Sequence, residues 1–302
     1  MTKLRIGTRD SALALWQAKR VASLLNDQGL ETELVPLKSS GDIDLKTPLH
    51  QFGSTGVFTK ILDDALLEEE VDIAVHSLKD YPTQAPNGIV MAAVLERGAV
   101  NDILVHKGDT SFLEKEEAQI ATGSIRRIAQ WKSRYPNHSN PNLRGNVQTR
   151  LAKLRDGNWD GAIFAKAGLE RLGLLPQHYL ELDWMIPAPA QGIIGITCRV
   201  DDAKSKAILA AINHEATALQ AQVERNFLKQ VEGGCSAPVG AHAVQVDSKL
   251  SLRAGVFSLD GSNKVILENT VPLEAASELG INLANEALNQ GAKAIMDKIK
   301  ND

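Results

Sequence analysis

The run Val71-Asp72-Ile73-Ala74-Val75 constrains this chain more than any other stretch. It is short, apolar and β-branched, the pattern of a strand buried in a sheet. An amphipathic helical pattern over 58–69 precedes it. The run ends abruptly in His76, Ser77, Lys79 and Asp80, and Tyr81-Pro82 stops any regular continuation. A helix feeding a buried strand makes a βαβ unit of a mostly parallel sheet. Open α/β sheets hold ligands beyond the carboxyl ends of their strands, which is where this polar cluster stands. The plainer alternative is a strand that reaches the surface in a solvated turn.

The same alternation runs through most of the chain. Strand patterns at 3–8 and 31–38 flank a helical pattern over 12–27, with Asp10 or Ser11 able to cap it and Gly29 to end it. The segment 48–56 reads as an exposed loop. Strands follow at 89–95 and 102–106. A second α/β section then runs through strand 119–122, helix 125–134, a strand at Leu143, helix 147–155, strand 161–165 and helix 166–172. Pro187-Ala188-Pro189-Ala190-Gln191-Gly192 reads as a crossing or hinge. Helices at 207–212 and 215–231 come next, the second stopped by Gly233-Gly234. The last part changes character: strands at 240–246, 249–255 and 265–271, with an Asp260-Gly261 turn, then one long helix over 273–299. That is a small α+β unit with a three-stranded antiparallel sheet. A length of 302 residues accommodates two or three domains.

Composition narrows the function classes. The net charge of −4 argues against a general nucleic-acid binder, although it permits a local basic pocket. No stretch is apolar for long enough to span a bilayer, and the N-terminus lacks a basic-then-apolar signal segment. Two cysteines, Cys198 and Cys235, are too few for a disulfide framework. The expected location is the cytoplasm.

Three groups can carry chemistry. Arg126-Arg127 open a helix behind Thr122-Gly123-Ser124; Arg144-Gly145-Asn146 and Arg150 follow; Arg9 and Ser11 close the first strand. The fixed fork of arginine matches carboxylates, and helix N-termini add backbone donors. If these residues converge on one cleft, the ligand bears several carboxylates or phosphates; scattered, they are surface ion pairs. Lys79-Asp80 is either an ion pair or a carboxylate held to stabilise a cation and pass protons. His76 alone is weak evidence, since a histidine at a strand end is commonly structural. In Glu232-Gly233-Gly234-Cys235 the thiol sits on a tight loop and could be a nucleophile or an attachment point. Cys198, ending an apolar run, fits an inert buried thiol. There is no His/Cys metal spacing, no P-loop and no Gly-x-Gly-x-x-Gly.

Thr8-Arg9-Asp10-Ser11, His76-Ser77-Leu78-Lys79-Asp80, Ser124-Ile125-Arg126-Arg127, Leu143-Arg144-Gly145-Asn146-Val147 and Glu232-Gly233-Gly234-Cys235 together resemble porphobilinogen deaminase, also called hydroxymethylbilane synthase. The motifs stand in the family's order over nearly the whole chain. The resemblance implies two α/β domains built like periplasmic solute-binding lobes and a small α+β domain carrying the cysteine. Their expected bounds are 1–96 with 193–213, 97–192, and 214–302. It implies joining of four porphobilinogens head to tail with loss of ammonia, on a dipyrromethane cofactor attached by a thioether to Cys235. Asp80 would be the catalytic group. Lys79, Ser77, Ser124, Arg126, Arg127 and Asp80 itself would hold the cofactor. Arg9, Ser11, Arg144, Arg150, Gln191 and Arg171 would bind substrate, in a cleft between domains. The resemblance also implies a monomer without nucleic-acid or membrane partners.

The chain departs from the family pattern at several positions. Gln51 and Thr55 stand in a lid loop that often carries lysines, Thr197 where glutamate is common, Ala12 where proline is usual, and Ala190 where glycine is common. A non-catalytic solute-binding protein shares the expected lobes and explains the arginines, but not the third domain with Cys235. An RNA binder is disfavoured by the acidic balance and by an aromatic content of 4%.

Overall fold

The computed structural model describes residues 3–38, 59–231 and 237–301. In chain order the elements are β1 (Leu4–Arg9), α1 (Ala12–Asn26), β2 (Thr32–Leu37), α2 (Lys60–Leu67), β3 (Ile73–Ser77), β4 (Ile89–Val94), β5 (Asp102–His106), β6 (Ile120–Ala121), α3 (Ile125–Arg134), α4 (Val147–Asp156), β7 (Gly161–Ala165), α5 (Lys166–Arg171), β8 (Tyr179–Glu181) and β9 (Ile194–Arg199). Then come α6 (Ala203–Ala210), α7 (Glu215–Gln230), β10 (Val239–Val246), β11 (Lys249–Phe257), β12 (Lys264–Pro272), α8 (Leu279–Ala287) and α9 (Lys293–Asn301). The described residues form two compact units, 3–38 with 59–98 and 192–218, and 99–191 with 219–301.

The first unit is built on a five-stranded sheet in the order β2-β1-β3-β9-β4. Helix α1 starts where the Ser11 hydroxyl accepts the Ala14 N–H at 3.4 Å, and Gly29 beyond its end takes a left-handed φ of 80°. Val21 and Leu25 of α1 pack with Ile6, Ile73 and Ile196 on one face of the sheet. Leu62 and Leu66 of α2 pack with Val71, Ala74 and Ile89 in a separate core. The sheet is mixed rather than mostly parallel. Strands β1, β2 and β3 are parallel, but β9 runs antiparallel to both β3 and β4. Every residue from Ile194 to Cys198 is buried, so the backbone groups of β9 need ladder partners on both edges, and the slot between β3 and β4 supplies them.

The second unit holds two sheets. One has the order β6-β7-β5-β8, with only β6 and β7 parallel. Leu143 is not in a strand; its neighbourhood runs beside β6 through the Thr122 N–H to Pro141 carbonyl bond of 3.0 Å. The other sheet, β10-β11-β12, is antiparallel, as the sequence led us to expect. It is backed by α7, α8 and α9 through Val223, Phe227, Leu252, Leu283 and Met296. Gly280 lets α8 touch α7: a Cβ there would lie 2.1 Å from the Val223 carbonyl oxygen. The long terminal helix is interrupted. A 3₁₀ stretch covers Leu273–Glu278, and Gly291 adopts a φ of 112° that no continuous helix accommodates. Ala129 of α3, Ile186 and Phe257 of β11 share a small core. Edge strand β10 also donates the Ala241 N–H to the Pro187 carbonyl at 3.0 Å, which covers that edge. Among the described residues no helix is long and apolar enough to cross a membrane.

Candidate functional site

In the first unit the carboxyl ends of β1 and β3 open into a cavity lined by Arg9, Ser11, Gln17, His76, Ser77 and Asp80. The polar residues after β3 form a short 3₁₀ turn, Leu78–Asp80. Leu78 is buried and anchors that turn, while Asp80 is exposed to the cavity. Lys79 is half-buried on the same turn. The Gln17 amide nitrogen lies 2.9 Å from Ser77 Oγ, so the buried face of α1 holds that hydroxyl in place. The Arg9 cation, the Asp80 carboxylate and two hydroxyls around one cavity suit a ligand with both acidic groups and N–H donors.

His76 is buried at the edge of the cavity. Burial and the nearby Arg9 charge push its pKa down to about 3, so it is neutral at physiological pH. Thr197 Oγ1 lies 2.9 Å from His76 Nε2 and 3.5 Å from the Ala74 carbonyl. The Thr197 hydroxyl thus satisfies the buried ring nitrogen, the tautomer setting which of the two donates. The ring also packs against Tyr81 at 4.7 Å. Beneath the cavity, burial raises Asp63 to about 6, with the hydroxyls of Thr59 and Tyr81 opposing the shift.

In the second unit the arginine pair converges on a residue that sequence reasoning passed over. Asp102, fully buried at the head of β5, receives Arg126 Nη1 at 2.7 Å, Arg127 Nη2 at 2.8 Å and Gln191 Nε2 at 3.0 Å. Arg126 also donates to the Ile186 carbonyl and Arg127 to the Ile163 carbonyl. Two guanidinium groups on one carboxylate leave this buried cluster with a net charge of +1. Ser124 stands at the N-cap of α3 without using its hydroxyl as a cap. Asp102 was legible in principle: an acidic residue opening the apolar run Ile103-Leu104-Val105 needs a buried partner.

The remaining residues fall in two places. Arg144 and Arg150 share the turn into α4. There Gly145 has a φ of 114°, Asn146 caps the helix through the Thr149 N–H at 2.8 Å, and Arg150 Nε donates to the Gly145 carbonyl at 2.6 Å. Arg171 ends α5, and burial lowers it to about 10, so it stays cationic. Cys198 is buried in β9 with its pKa raised by burial, consistent with an inert thiol. Cys235, Gln51 and Thr55 lie outside the described residues.

Comparisons with known proteins bear on the family of the chain. The family description "Porphobilinogen deaminase, dipyromethane cofactor binding domain" matches residues 4–207, and "Porphobilinogen deaminase, C-terminal domain" matches residues 218–289. Among solved structures, an ancestral cationic amino acid solute binding protein is 15% identical, covering 69% of this chain and 87% of its own, with a TM-score of 0.44. A periplasmic substrate-binding protein of an ABC transporter from Coxiella burnetii is 16% identical, covering 71% and 94%, with a TM-score of 0.43. The two family matches together take in nearly the whole chain and include every described candidate residue above. The chain belongs to the porphobilinogen deaminase family, whose members use a dipyrromethane cofactor and act as transferases in tetrapyrrole biosynthesis.

Proposed function

We propose that this chain is a hydroxymethylbilane synthase: it condenses four porphobilinogens head to tail, releasing ammonia at each coupling, and frees linear hydroxymethylbilane by hydrolysis. One observation carries the reading. The Asp80 carboxylate shares a cavity with Arg9, Ser11 and Ser77 at the end of a buried strand. Porphobilinogen brings an acetate and a propionate for the arginine and hydroxyls. Its pyrrole N–H suits the carboxylate.

The donor set fits the cofactor. Dipyrromethane is a polycarboxylate, and Arg126 and Arg127, held at 2.7 and 2.8 Å by Asp102, are buried cations of fixed orientation. When bound, the dipyrromethane would supply the free pyrrole carbon to which the first unit is joined. Lys79, Ser77, Ser124, Arg126 and Arg127 hold its acidic side chains, and Cys235 carries it by a thioether. Arg9, Ser11, Arg144, Arg150 and Arg171 bind the acidic groups of incoming substrate; Gln191, expected from the sequence to join them, is buried with its amide N–H groups on the Val100 carbonyl and Asp102, and supports the arginine pair instead.

Asp80 does the chemistry. Loss of ammonia from porphobilinogen leaves an azafulvene-type cation, and a carboxylate beside it lowers the energy of that charge. The same carboxylate then takes the proton displaced when the new carbon–carbon bond forms. Arg9, across the cavity, keeps the substrate carboxylates from competing for that position. The three domains proposed are 1–96 with 193–213, 97–192, and 214–302, each with its own sheet. The working form proposed is a cytoplasmic monomer.

The test is the intact mass of the denatured protein before and after incubation with porphobilinogen. An increment of two linked pyrrole units, lost in Cys235→Ser, supports the reading. No increment under any loading condition turns the assignment toward a non-catalytic binder of polycarboxylates. Asp80→Ala should fold and take up the cofactor yet lose turnover; near-normal product formation by that variant removes Asp80 from the mechanism.

A further inference from the structure

Glu224 is a carboxylate that the mechanism leaves unused. It lies in the middle of α7 and is fully buried. One of its oxygens accepts the Ala190 N–H at 2.7 Å and the other accepts the Ala243 N–H of edge strand β10, also at 2.7 Å. Ala190 is a non-glycine residue at a φ of 61°, a conformation unfavourable for alanine. Its neighbour Gln191 is fully buried. Gln191 Nε2 bonds the Val100 carbonyl at 2.7 Å and Asp102 Oδ1 at 3.0 Å. The segment 187–191 is thus gripped twice from one side, by Ala241 of β10 on Pro187 and by Glu224 on Ala190. On the other side it delivers Gln191 to the carboxylate that orients Arg126 and Arg127.

We infer that Glu224 is a positioning residue for the arginine pair: by holding Ala190 in the left-handed conformation it sets Gln191 against Asp102, and so fixes the two guanidinium groups. This rests on the proposal that Arg126 and Arg127 hold the cofactor. The sequence adds a consequence. Cys235 lies in the connection between α7 and β10, the two elements that grip this segment. The elements flanking the attachment thiol and the groups that bind the cofactor's acids are therefore joined by one short strap. The unusual Ala190 makes the strap dependent on its clamp, because alanine, unlike glycine, does not rest in that conformation unaided.

The test uses the full chain and compares Glu224→Gln, Ala190→Gly and the double variant. Glutamine presents an amide nitrogen where one of the two backbone N–H groups needs an acceptor, so it releases one grip. The readouts are the rate of covalent loading with porphobilinogen, followed by intact mass, and amide hydrogen exchange at 190 and 191. Glu224→Gln should load about tenfold more slowly and exchange faster at both amides. Adding Ala190→Gly should restore most of the loading rate, because glycine adopts the left-handed conformation without the clamp. A purely architectural role for Glu224 predicts no such rescue. Normal loading by Glu224→Gln overturns the inference, and so does slow loading that Ala190→Gly fails to rescue. Should Glu224→Gln not fold, Glu224→Asp, whose shorter arm cannot reach both amides, takes its place in the same comparison. Arg127→Leu separates the two levels. If it loads normally, the arginine reading itself falls and takes the inference with it. If it fails while Glu224→Gln loads normally, only the inference falls.

Discussion

Replacing Asp102 by asparagine tests how much the second unit depends on one carboxylate. The change keeps the shape and one acceptor oxygen. It removes the charge shared by Arg126 at 2.7 Å and Arg127 at 2.8 Å, and it turns an amide N–H₂ toward a cation or toward the Gln191 donor. Both arginines are nearly inaccessible, with side chains 5% and 7% exposed, so water cannot replace the lost partner. Leaving charges buried without their counter-ion costs about 3–5 kcal/mol. For a unit of this size that lowers the unfolding midpoint by roughly 6–20 °C. Tryptophan fluorescence follows it well, because Trp131, Trp159 and Trp184 lie in the second unit and only Trp16 in the first. The exposed ion pair of Arg155 and Asp156, in the same unit, provides the control: Asp156→Asn should leave the midpoint in place. A shift of less than about 2 °C for Asp102→Asn would mean that the carboxylate does not hold the arginines in solution, and the electrostatic account of the site would fail with it.

Other tests address single groups. His76 should remain neutral until the pH approaches about 3, read by NMR titration of its ring protons; a midpoint near 6.5 would contradict its burial against Thr197. Because the folded pKa is depressed, the His76 contribution to stability is complete above pH 6.5 and is lost as the pH falls toward 3. Asp63 acts in the opposite sense. Its folded pKa is raised to about 6, so its contribution is present below about 3.8 and is lost as the pH rises through 6. Asp63→Asn should therefore stabilise the first unit above pH 7, by on the order of 2 kcal/mol, in a denaturant titration compared with one at pH 4. Ala190→Gly in the otherwise unchanged chain should raise stability slightly, by about 0.5–1 kcal/mol, since relief of the left-handed strain exceeds the added freedom of the unfolded chain. Gly280→Ala should destabilise the C-terminal sheet and its helices by about 3 kcal/mol or more, because the new Cβ would meet the Val223 carbonyl at 2.1 Å; an unchanged midpoint would show that α7 and α8 are not packed this closely.

Much of the local structure was legible. Ser11 caps the helix that its position announced, and Gly29 ends α1. Helix α3 and strands β5 and β7 have the bounds that periodicity assigned them. The polar turn after Val75 faces a cavity with Arg9 and Ser11, as the placement of ligand sites in α/β sheets suggested. Three features did not follow from local pattern. Strand β9 was only an apolar run, since nothing near Ile194 says that β3 and β4 leave a slot for it. The terminal helix looked continuous because its apolar period outweighed Gly291. Glu224 looked like an ordinary helical glutamate, although Ala221 and Phe227 place it on the buried face of α7.

The division has a physical cause. Capping, helical period and strand alternation depend on residues a few positions apart, so the chain alone determined them, along with the motifs that carry the family. The partners of buried charges are not local. Asp102 meets Arg126 and Arg127 across some twenty-five positions and Gln191 across 89, and Glu224 reaches Ala190 across 34. Each of these groups is costly to bury alone and stable only when the others arrive. Which of them meet was decided by the packing of whole elements, and that packing turned a row of arginines in the sequence into an oriented pair.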